Sequence, residues 1–257
     1  MSKPKPQRPF RVLSIDFDFF QETTADTIRN YYPDGMELGT KLSEIVWASK
    51  YMQFGTYKGY DELMKVSLSH DLFLQIQQIL EKQNGDIPCT IAQSHERIYQ
   101  ELVGRIDEDQ PALIAHIDFH HDMFNGNREV DCGNWVGKFI DIHPNTQVTW
   151  FTREVGIECY GLEDVPDIPK QFNLQSLLNQ EFDMVFLCRS DAWLPPHLDV
   201  YFNDLVLMCS DIFEDIYVEE CVQHPRNIVG ICDSAFQMSN FQQSVMDAIV
   251  SKGKEIR

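Results

Sequence analysis

The sequence predicts an α/β protein built on a single, mostly parallel sheet. Short apolar runs recur along the chain without the polar alternation of a half-exposed strand, as is typical of strands covered by helices on both faces. Helical patterns lie between these runs, and this alternation favours a doubly wound sheet. No internal repeat or low-complexity linker divides the 257 residues. We therefore predict one three-layer domain over residues 1–257, with 1–9 as a flexible lead.

Six apolar runs are the predicted strands, and two segments have a helical pattern. The first helix, Asp71–Lys82, has apolar residues at helical spacing and is followed by Asn84-Gly85, a helix stop signal. The second candidate helix is Phe241–Ser251. Ligands of doubly wound sheets bind beyond the carboxyl ends of the strands, so chemistry is expected there. The predicted strands are Phe10–Asp16, Cys89–Ala92, Ala112–Asp118, Gln147–Phe151, Asp183–Cys188 and Asn227–Cys232.

Residues 21–59 differ from the rest of the chain, because aromatic residues stand there among polar residues and glycines. One interpretation is a lid or a substrate-binding rim. The other is that these aromatics fill a secondary core. The aromatics concerned are Tyr31, Tyr32, Trp47, Tyr51, Phe54 and Tyr57.

Charge and cysteine content limit the partners and the compartment. The chain has 21 Lys and Arg against 40 Asp and Glu, a net charge of −19. Such acidity repels nucleic acid and anionic lipid and favours metal cations or basic peptides, although it also serves solubility alone. Seven cysteines without a CxxC pair indicate reduced thiols. With no secretory signal and no run of 18 apolar residues, we expect a soluble cytoplasmic protein without nucleic-acid or membrane partners.

Acidic and histidine side chains follow two of the predicted strands. Asp118, His120 and Asp122 stand two residues apart where the run ALIAHI ends, and a period of two directs them to one side. Asp16 and Asp18 repeat this arrangement at the end of the first strand. Four converging carboxylates would repel one another strongly without cations. Two divalent ions balance them, and the mixture of carboxylate and imidazole suits Mn²⁺.

His95 completes the candidate ligand set. It follows the strand CTIA at a strand-to-helix junction, where it could close one end of a dinuclear site. We therefore predict six metal ligands that hold two Mn²⁺ ions per chain. These ligands are Asp16, Asp18, His95, Asp118, His120 and Asp122.

The ligand motifs resemble those of the ureohydrolase superfamily, which contains the arginases and agmatinases. That family has a histidine at one strand end, a DxHxD strand and an SxDxD strand, here His95, 118–122 and 14–18. The resemblance implies an arginase-like sheet, with the strand order along the chain permuted because the DxD strand comes first. The chain looks most similar to peptide arginases, through IDFDFF, His95-Glu96, Asn134-Trp135 and the Arg189-Ser190-Asp191 stretch that runs into proline.

The resemblance implies a metal-activated water that attacks a guanidinium carbon and releases urea from an ornithine side chain. Asp122 would hold and deprotonate this water. The proton-shuttling histidine of arginases is replaced by Val136, so His121, His143 and Glu96 are the candidates for protonating the leaving amine.

Substrate-binding positions are also taken from the resemblance, at Asn134, Trp135, Arg189 and Asp191. Asp191 is the first candidate to bind the guanidinium, unless Arg189 simply pairs with it. Asp233 is the alternative.

The function expected first is hydrolysis of arginine side chains in a basic or arginine-containing peptide. The second is hydrolysis of free arginine, agmatine or another small guanidino compound. A deacetylase-like amide hydrolase and a non-catalytic, metal-stabilised binding module come after these. The oligomeric state, including a homo-oligomer, stays open.

Overall fold

A seven-stranded parallel sheet forms the centre of the protein. The computed structural model describes residues 8–33, 39–52, 58–124, 129–160, 164–228 and 230, and structural statements below refer to these. The strand order is β7-β6-β5-β1-β8-β4-β9, and every neighbouring pair is parallel. Two further strands, β2 and β3, form a small antiparallel ribbon. The strands are β1 Phe10–Asp16, β2 Gln21–Glu22, β3 Ser67–Leu68, β4 Cys89–Ala92, β5 Ala112–Ile117, β6 Thr146–Phe151, β7 Lys170–Gln171, β8 Met184–Cys188 and β9 Ile216–Val218.

Helices cover both faces of the sheet, so the predicted three-layer α/β fold is confirmed. On one face, Ile15 of β1 belongs to a buried cluster with residues of α4 and α8, among them Ile76 and Leu205. On the other face, Val12 packs in a cluster with residues of α5 and α6. The helices are α1 Ala25–Tyr31, α2 Thr40–Tyr51, α3 Lys58–Leu63, α4 His70–Glu81, α5 Arg97–Arg105, α6 Trp135–Ile142, α7 Glu154–Cys159 and α8 Asp199–Ile212.

Five of the six predicted strands are present, with bounds that differ by at most one residue at either end. The predicted strand Asn227–Cys232 is wrong, because Ile228 and Gly230 are helical. The Asn227 side chain accepts a hydrogen bond of 3.0 Å from the Gly230 amide, which is an N-cap contact that starts a helical turn. A short apolar run does not distinguish a buried strand from a buried helical segment. Asp233 and the predicted helix Phe241–Ser251 lie outside the described residues.

The described aromatics at 32, 47 and 51 belong to the hydrophobic core, in agreement with the second interpretation of residues 21–59. Tyr32, Trp47 and Tyr51 are buried in the cluster under α4 and α8. Trp47 also donates through Nε1 to the backbone oxygen of Asp191, 2.7 Å away, and so fixes α2 to the loop after β8. Residues 34–38 and 53–57, which include Phe54 and Tyr57, lie outside the described residues.

The helices in the described part of the chain are all too short or too polar to cross a membrane.

Candidate metal centre

The predicted ligands meet at the carboxyl ends of three strands. Asp16 is the last residue of β1, Asp118 directly follows β5, and His95 stands three residues after β4. Strands β1 and β5 are neighbours, whereas β8 lies between β1 and β4. All three side chains are buried, with at most 2% of their surface exposed.

One group of ligand atoms surrounds the ring nitrogen Nδ1 of His95. This nitrogen lies 2.9 Å from Oδ2 of Asp118, 3.2 Å from Oδ2 of Asp122 and 3.3 Å from Oδ2 of Asp16. It is buried, yet it makes no hydrogen bond of acceptable geometry with the described residues. A metal ion with bonds of about 2.1 Å separates adjacent ligand atoms by about 3 Å. The spacing and the unsatisfied nitrogen therefore both fit a metal ion at the centre of this group.

His116 joins the same group, although it is absent from the ligand set predicted from the sequence. Its Nε2 lies 3.6 Å from Oδ2 of Asp118 and 3.7 Å from Oδ2 of Asp122. Both ring nitrogens are buried, and neither has a hydrogen-bond partner in the described chain. Burial lowers the pKa of His116 to about 3, so the imidazole is neutral and keeps a lone pair. In the sequence, His116 stands two residues before Asp118, a spacing that directs both side chains to the same side of the chain. This spacing could have identified His116 as a candidate ligand.

A second group adjoins the first and shares Asp118 with it. Nδ1 of His120 lies 3.1 Å from Oδ2 of Asp18 and 3.6 Å from Oδ1 of Asp118. Oδ2 of Asp18 is buried without a hydrogen bond to any residue that the structure describes. Asp118 thus directs one oxygen to each group. The two groups that could bind metal ions are His95, His116, Asp118 and Asp122, and Asp18, Asp118 and His120. The predicted ligand Asp16 belongs to neither group, although its Oδ2 lies beside the first one, 3.3 Å from Nδ1 of His95.

Backbone amides fix the carboxylates in this orientation. The amide of Asp18 donates to Oδ1 of Asp16 at 3.0 Å, and the amide of His120 donates to Oδ1 of Asp118 at 2.6 Å. The amide of Phe119 donates to Oδ1 of Asp18 at 3.3 Å. In Asp16 and Asp118, the first aspartate of each motif, Oδ1 is thereby bound by the amide two residues later and Oδ2 faces the cluster, whereas Oδ1 of Asp18 is bound across the sheet by Phe119. This is the physical reason why aspartates spaced by two at a strand end suit the site.

The burial of so many charges perturbs their protonation. Burial, then the negative charges of Asp18 and Asp118, raises the pKa of Asp16 well above its ordinary value. Burial and then Asp118 raise the pKa of Asp122 to about 7. Burial alone would lower the pKa of His95, but the surrounding carboxylates outweigh it and raise that pKa. Metal binding requires deprotonated ligands, so a metal ion that binds this cluster would displace the protons that the carboxylates retain.

Asp122 is held in a backbone conformation that few residues adopt. Its φ is 51°, and its backbone oxygen accepts from the amide of Val136 at the start of α6. The indole Nε1 of Trp135 donates to Oδ2 of Asp122 at 2.6 Å. Trp135, predicted to bind substrate, is fully buried and in this structure orients a ligand carboxylate. Asn134 bonds instead to the backbone of Asp131 and Glu129, within the loop that precedes α6.

A cavity of about 730 Å³ opens above the two groups. Its floor contains Asp16, His95, His120 and Asp122. Ser190, like Asp122, lines the cavity and has a positive φ, of 58°; in the described chain these two are the only non-glycine residues with positive φ. Backbone strain of this kind concentrates at functional sites. Other wall residues are Glu96, Phe124, Glu129, Asp131 and Trp193.

The three candidate proton donors lie in different surroundings. Glu96 lines the cavity. His121 is not among the described lining residues; its Nδ1 accepts from the amide of Met123, and its ring packs against Phe124. His143 lies at the far end of α6 and stacks on Phe139. Glu96 is therefore the candidate with access to a substrate in this cavity.

Asp191 and Arg189 form a buried ion pair. Nε and Nη2 of Arg189 donate to the two carboxylate oxygens of Asp191, the second at 3.0 Å. Arg189 also donates to the backbone oxygens of Cys221 and His224. Asp191 is 1% exposed, and both of its carboxylate oxygens are already bound. This geometry agrees with the alternative expectation from the sequence, namely that Arg189 simply pairs with Asp191. It counts against Asp191 as the residue that binds the substrate guanidinium.

No protein-family model, no curated protein and no solved structure matches this chain.

Proposed function

We propose that the protein is a dinuclear metal hydrolase that converts arginine side chains in a peptide to ornithine and releases urea. The observation that carries the proposal is the pair of adjoining ligand groups that share Asp118 beneath an acidic cavity. Carboxylate and imidazole ligands in this number suit two Mn²⁺ ions. The six predicted ligands, together with His116, would hold them.

Two ions bound in this way would lower the pKa of a shared water and supply hydroxide near neutral pH. The residues of the chain perform the remaining tasks. Asp122 holds the attacking water and takes its proton. The water oxygen forms a bond to the guanidinium carbon, and the bond from that carbon to the side-chain nitrogen breaks. Glu96, in the cavity wall, passes the proton taken by Asp122 to the leaving amine. The proton left on the attacking oxygen goes to the same nitrogen, so that neutral urea and the ornithine ammonium group are released.

The acidic surroundings support a cationic peptide as the substrate. Glu96, Glu129 and Asp131 stand in the cavity wall, and the net charge of the chain is −19. Such a surface attracts a basic peptide from a distance and repels anions. A cavity of about 730 Å³ also accommodates a small guanidino compound, which is the second candidate.

The proposal is tested by incubating the Mn²⁺-loaded protein with arginine peptides and following their mass. Each converted arginine loses about 42 Da. Acetyl-lysine peptides, which would also lose about 42 Da on deacetylation, are assayed separately. Asp118→Asn, which removes charge from the shared ligand, is the inactive control. We expect the arginine peptides to react faster than free arginine or agmatine, and their KM to rise with ionic strength.

Each other outcome has a definite meaning. Equal efficiency on free arginine or agmatine would replace the peptide by the small-molecule substrate. Reaction of acetyl-lysine peptides alone would assign a deacetylase. A manganese-loaded protein that alters none of these compounds would refute the hydrolase and leave a metal-stabilised binding module.

A further inference from the structure

The loop that follows β8 carries an aromatic residue into the cavity wall. Trp193 is half-buried and lines the cavity together with Ser190. Its ring centroid lies 4.5 Å from that of the ligand His120. The indole is therefore beside the metal centre, on the side from which a substrate would enter from the cavity.

This loop is fixed in place by buried hydrogen bonds. The amide of Trp193 donates to the backbone oxygen of Ser190 at 2.8 Å. The backbone oxygen of Asp191 accepts from Ser43 and Trp47, each at 2.7 Å, and from Arg226. An aromatic surface held in this way loses little conformational entropy when a ligand binds against it.

The charges near Trp193 attract a cation, but Asp191, the carboxylate expected from the sequence to bind it, is already bound by Arg189. Among the described lining residues, Glu96, Glu129 and Asp131 are acidic, apart from the metal ligands, and none is Lys or Arg. Asp191, on the same loop, is occupied by Arg189. An indole face is the best aromatic partner for a planar guanidinium, and it requires no free carboxylate.

We propose that Trp193 is a specificity-determining residue on which the planar guanidinium of the substrate stacks. The inference rests on the proposed function for the identity of the cation. It adds a surface that recognises that cation, in place of Asp191, whose carboxylate is buried and bound by Arg189.

The competing explanation is that Trp193 only covers the ring of His120. An apolar cover would contribute equally to the binding of a charged ligand and of a neutral ligand of the same shape. A cation–π contact contributes to the charged ligand alone. Ethylguanidinium and ethylurea have nearly the same shape and differ in charge, so they separate the two explanations.

The experiment measures the Kd of ethylguanidinium and of ethylurea by titration calorimetry with the Mn²⁺-loaded protein. Wild type is compared with Trp193→Phe, which keeps a weaker aromatic face, and Trp193→Leu, which keeps only apolar bulk. Phe172→Leu removes an exposed aromatic residue in a separate groove and serves as the control. We expect Trp193→Leu to weaken ethylguanidinium binding about five- to thirtyfold, Trp193→Phe to weaken it less, and neither to change ethylurea binding by more than about twofold.

If Trp193→Leu weakens the binding of both ligands equally, or weakens the binding of neither, Trp193 does not act by stacking on the guanidinium. Peptide hydrolysis by wild type is measured on the same preparations. If wild type hydrolyses the peptide normally and the Trp193 substitutions affect ethylguanidinium and ethylurea binding equally, the inference is refuted and the proposed function stands. A Trp193-dependent preference for ethylguanidinium without any hydrolysis refutes the proposed function and keeps the recognition surface.

Discussion

At the scale of single residues, Asp118 is the central ligand because its two oxygens serve different groups. Oδ2 lies 2.9 Å from Nδ1 of His95, and Oδ1 lies 3.6 Å from Nδ1 of His120. Burial would raise the pKa of Asp118, but its contacts with His120 and His95 outweigh burial and lower it, while Asp16 and Asp122 have raised pKa values. Asp118 is therefore the carboxylate of the cluster that stays ionised, which would suit a ligand shared by the two proposed ions.

Two buried tryptophans make it possible to distinguish the orientation of the Asp122 carboxylate from the packing of the core. Trp135 donates to Oδ2 of Asp122 at 2.6 Å, whereas Trp150 donates to the backbone oxygen of Asp118 at 3.0 Å. Both are fully buried. Trp135→Phe should lower manganese affinity about 10- to 100-fold, because an unrestrained ligand carboxylate binds less well. Trp150→Phe is the matched control, since it loses a similar hydrogen bond that is not made to a ligand oxygen.

The measurement is manganese binding by calorimetry, together with chemical denaturation of both variants. Both should lose stability, by on the order of 1–3 kcal/mol each. Equal manganese affinities for the two variants would show that the Trp135 contact does not orient Asp122 for the metal.

At the scale of elements, the decisive feature is the insertion of β8 between β1 and β4. The loop that follows β8 therefore lies between the carboxyl ends of β1 and β4, which precede the candidate ligands Asp18 and His95. This loop is tied to α2 and to the start of α8 by Arg226, whose side chain is fully buried. Arg226 donates to both oxygens of Asp199, at 2.6 and 2.8 Å, and to the backbone oxygens of Asp191 and Leu194.

Replacing Arg226 by Met should reduce the free energy of unfolding by about 3–5 kcal/mol, because the buried Asp199 loses its close partner and keeps only the more distant Arg189, at 3.9 Å. Arg105→Met is the control, since Arg105 pairs with Glu101 on the surface of α5 and should contribute at most about 1 kcal/mol. Chemical denaturation of the two variants checks this. A loss for Arg226→Met no larger than that for Arg105→Met would contradict the stabilising role of Arg226.

At the scale of the whole molecule, the buried acidic cluster couples stability to pH. In the metal-free protein, Asp122 has a folded-state pKa of about 7, above its ordinary value of about 3.9. Its contribution to stability is therefore fully present below about pH 4 and is lost as the pH rises to about 7. Asp16 and His95, with raised pKa values, act in the same direction. His116 and His121, whose pKa values are lowered to about 3 and about 4, act in the opposite direction.

Comparison with Asp122→Asn isolates one of these contributions, and Asn tolerates the positive φ at this position. Denaturation in the presence of a chelator should show that wild type loses stability relative to the variant between about pH 4 and pH 7. Saturating Mn²⁺ should reverse this difference, because metal binds the ionised carboxylate. Parallel pH curves for the two chelated proteins would disprove the raised pKa of Asp122.

Much of the sheet, and the convergence of the candidate ligands, could be predicted from local sequence. Four of the five correct strands are buried on both faces, and the carboxyl ends of β1 and β5 are marked by Asp16 and Asp118. Parallel strands place such ends at one edge of the sheet, so the DxD and DxHxD motifs are sufficient to predict that their side chains converge. The short strands β7 and β9 were not predicted, because two or three residues give no periodic signal.

Only the tertiary structure decided which side chains are free to act. The sequence places Asp191 after a strand end, but its carboxylate is bound by Arg189 and its backbone by α2, across more than 140 residues. The ligand set predicted from the sequence likewise leaves out His116, whose Nε2 lies 3.7 Å from Oδ2 of Asp122 because the loop after β5 is held against the start of α6. Alternation and spacing determine which side of its own strand a residue faces, because that is a local property of the backbone. The partner it meets depends on strand order and on long-range packing, which local patterns do not encode.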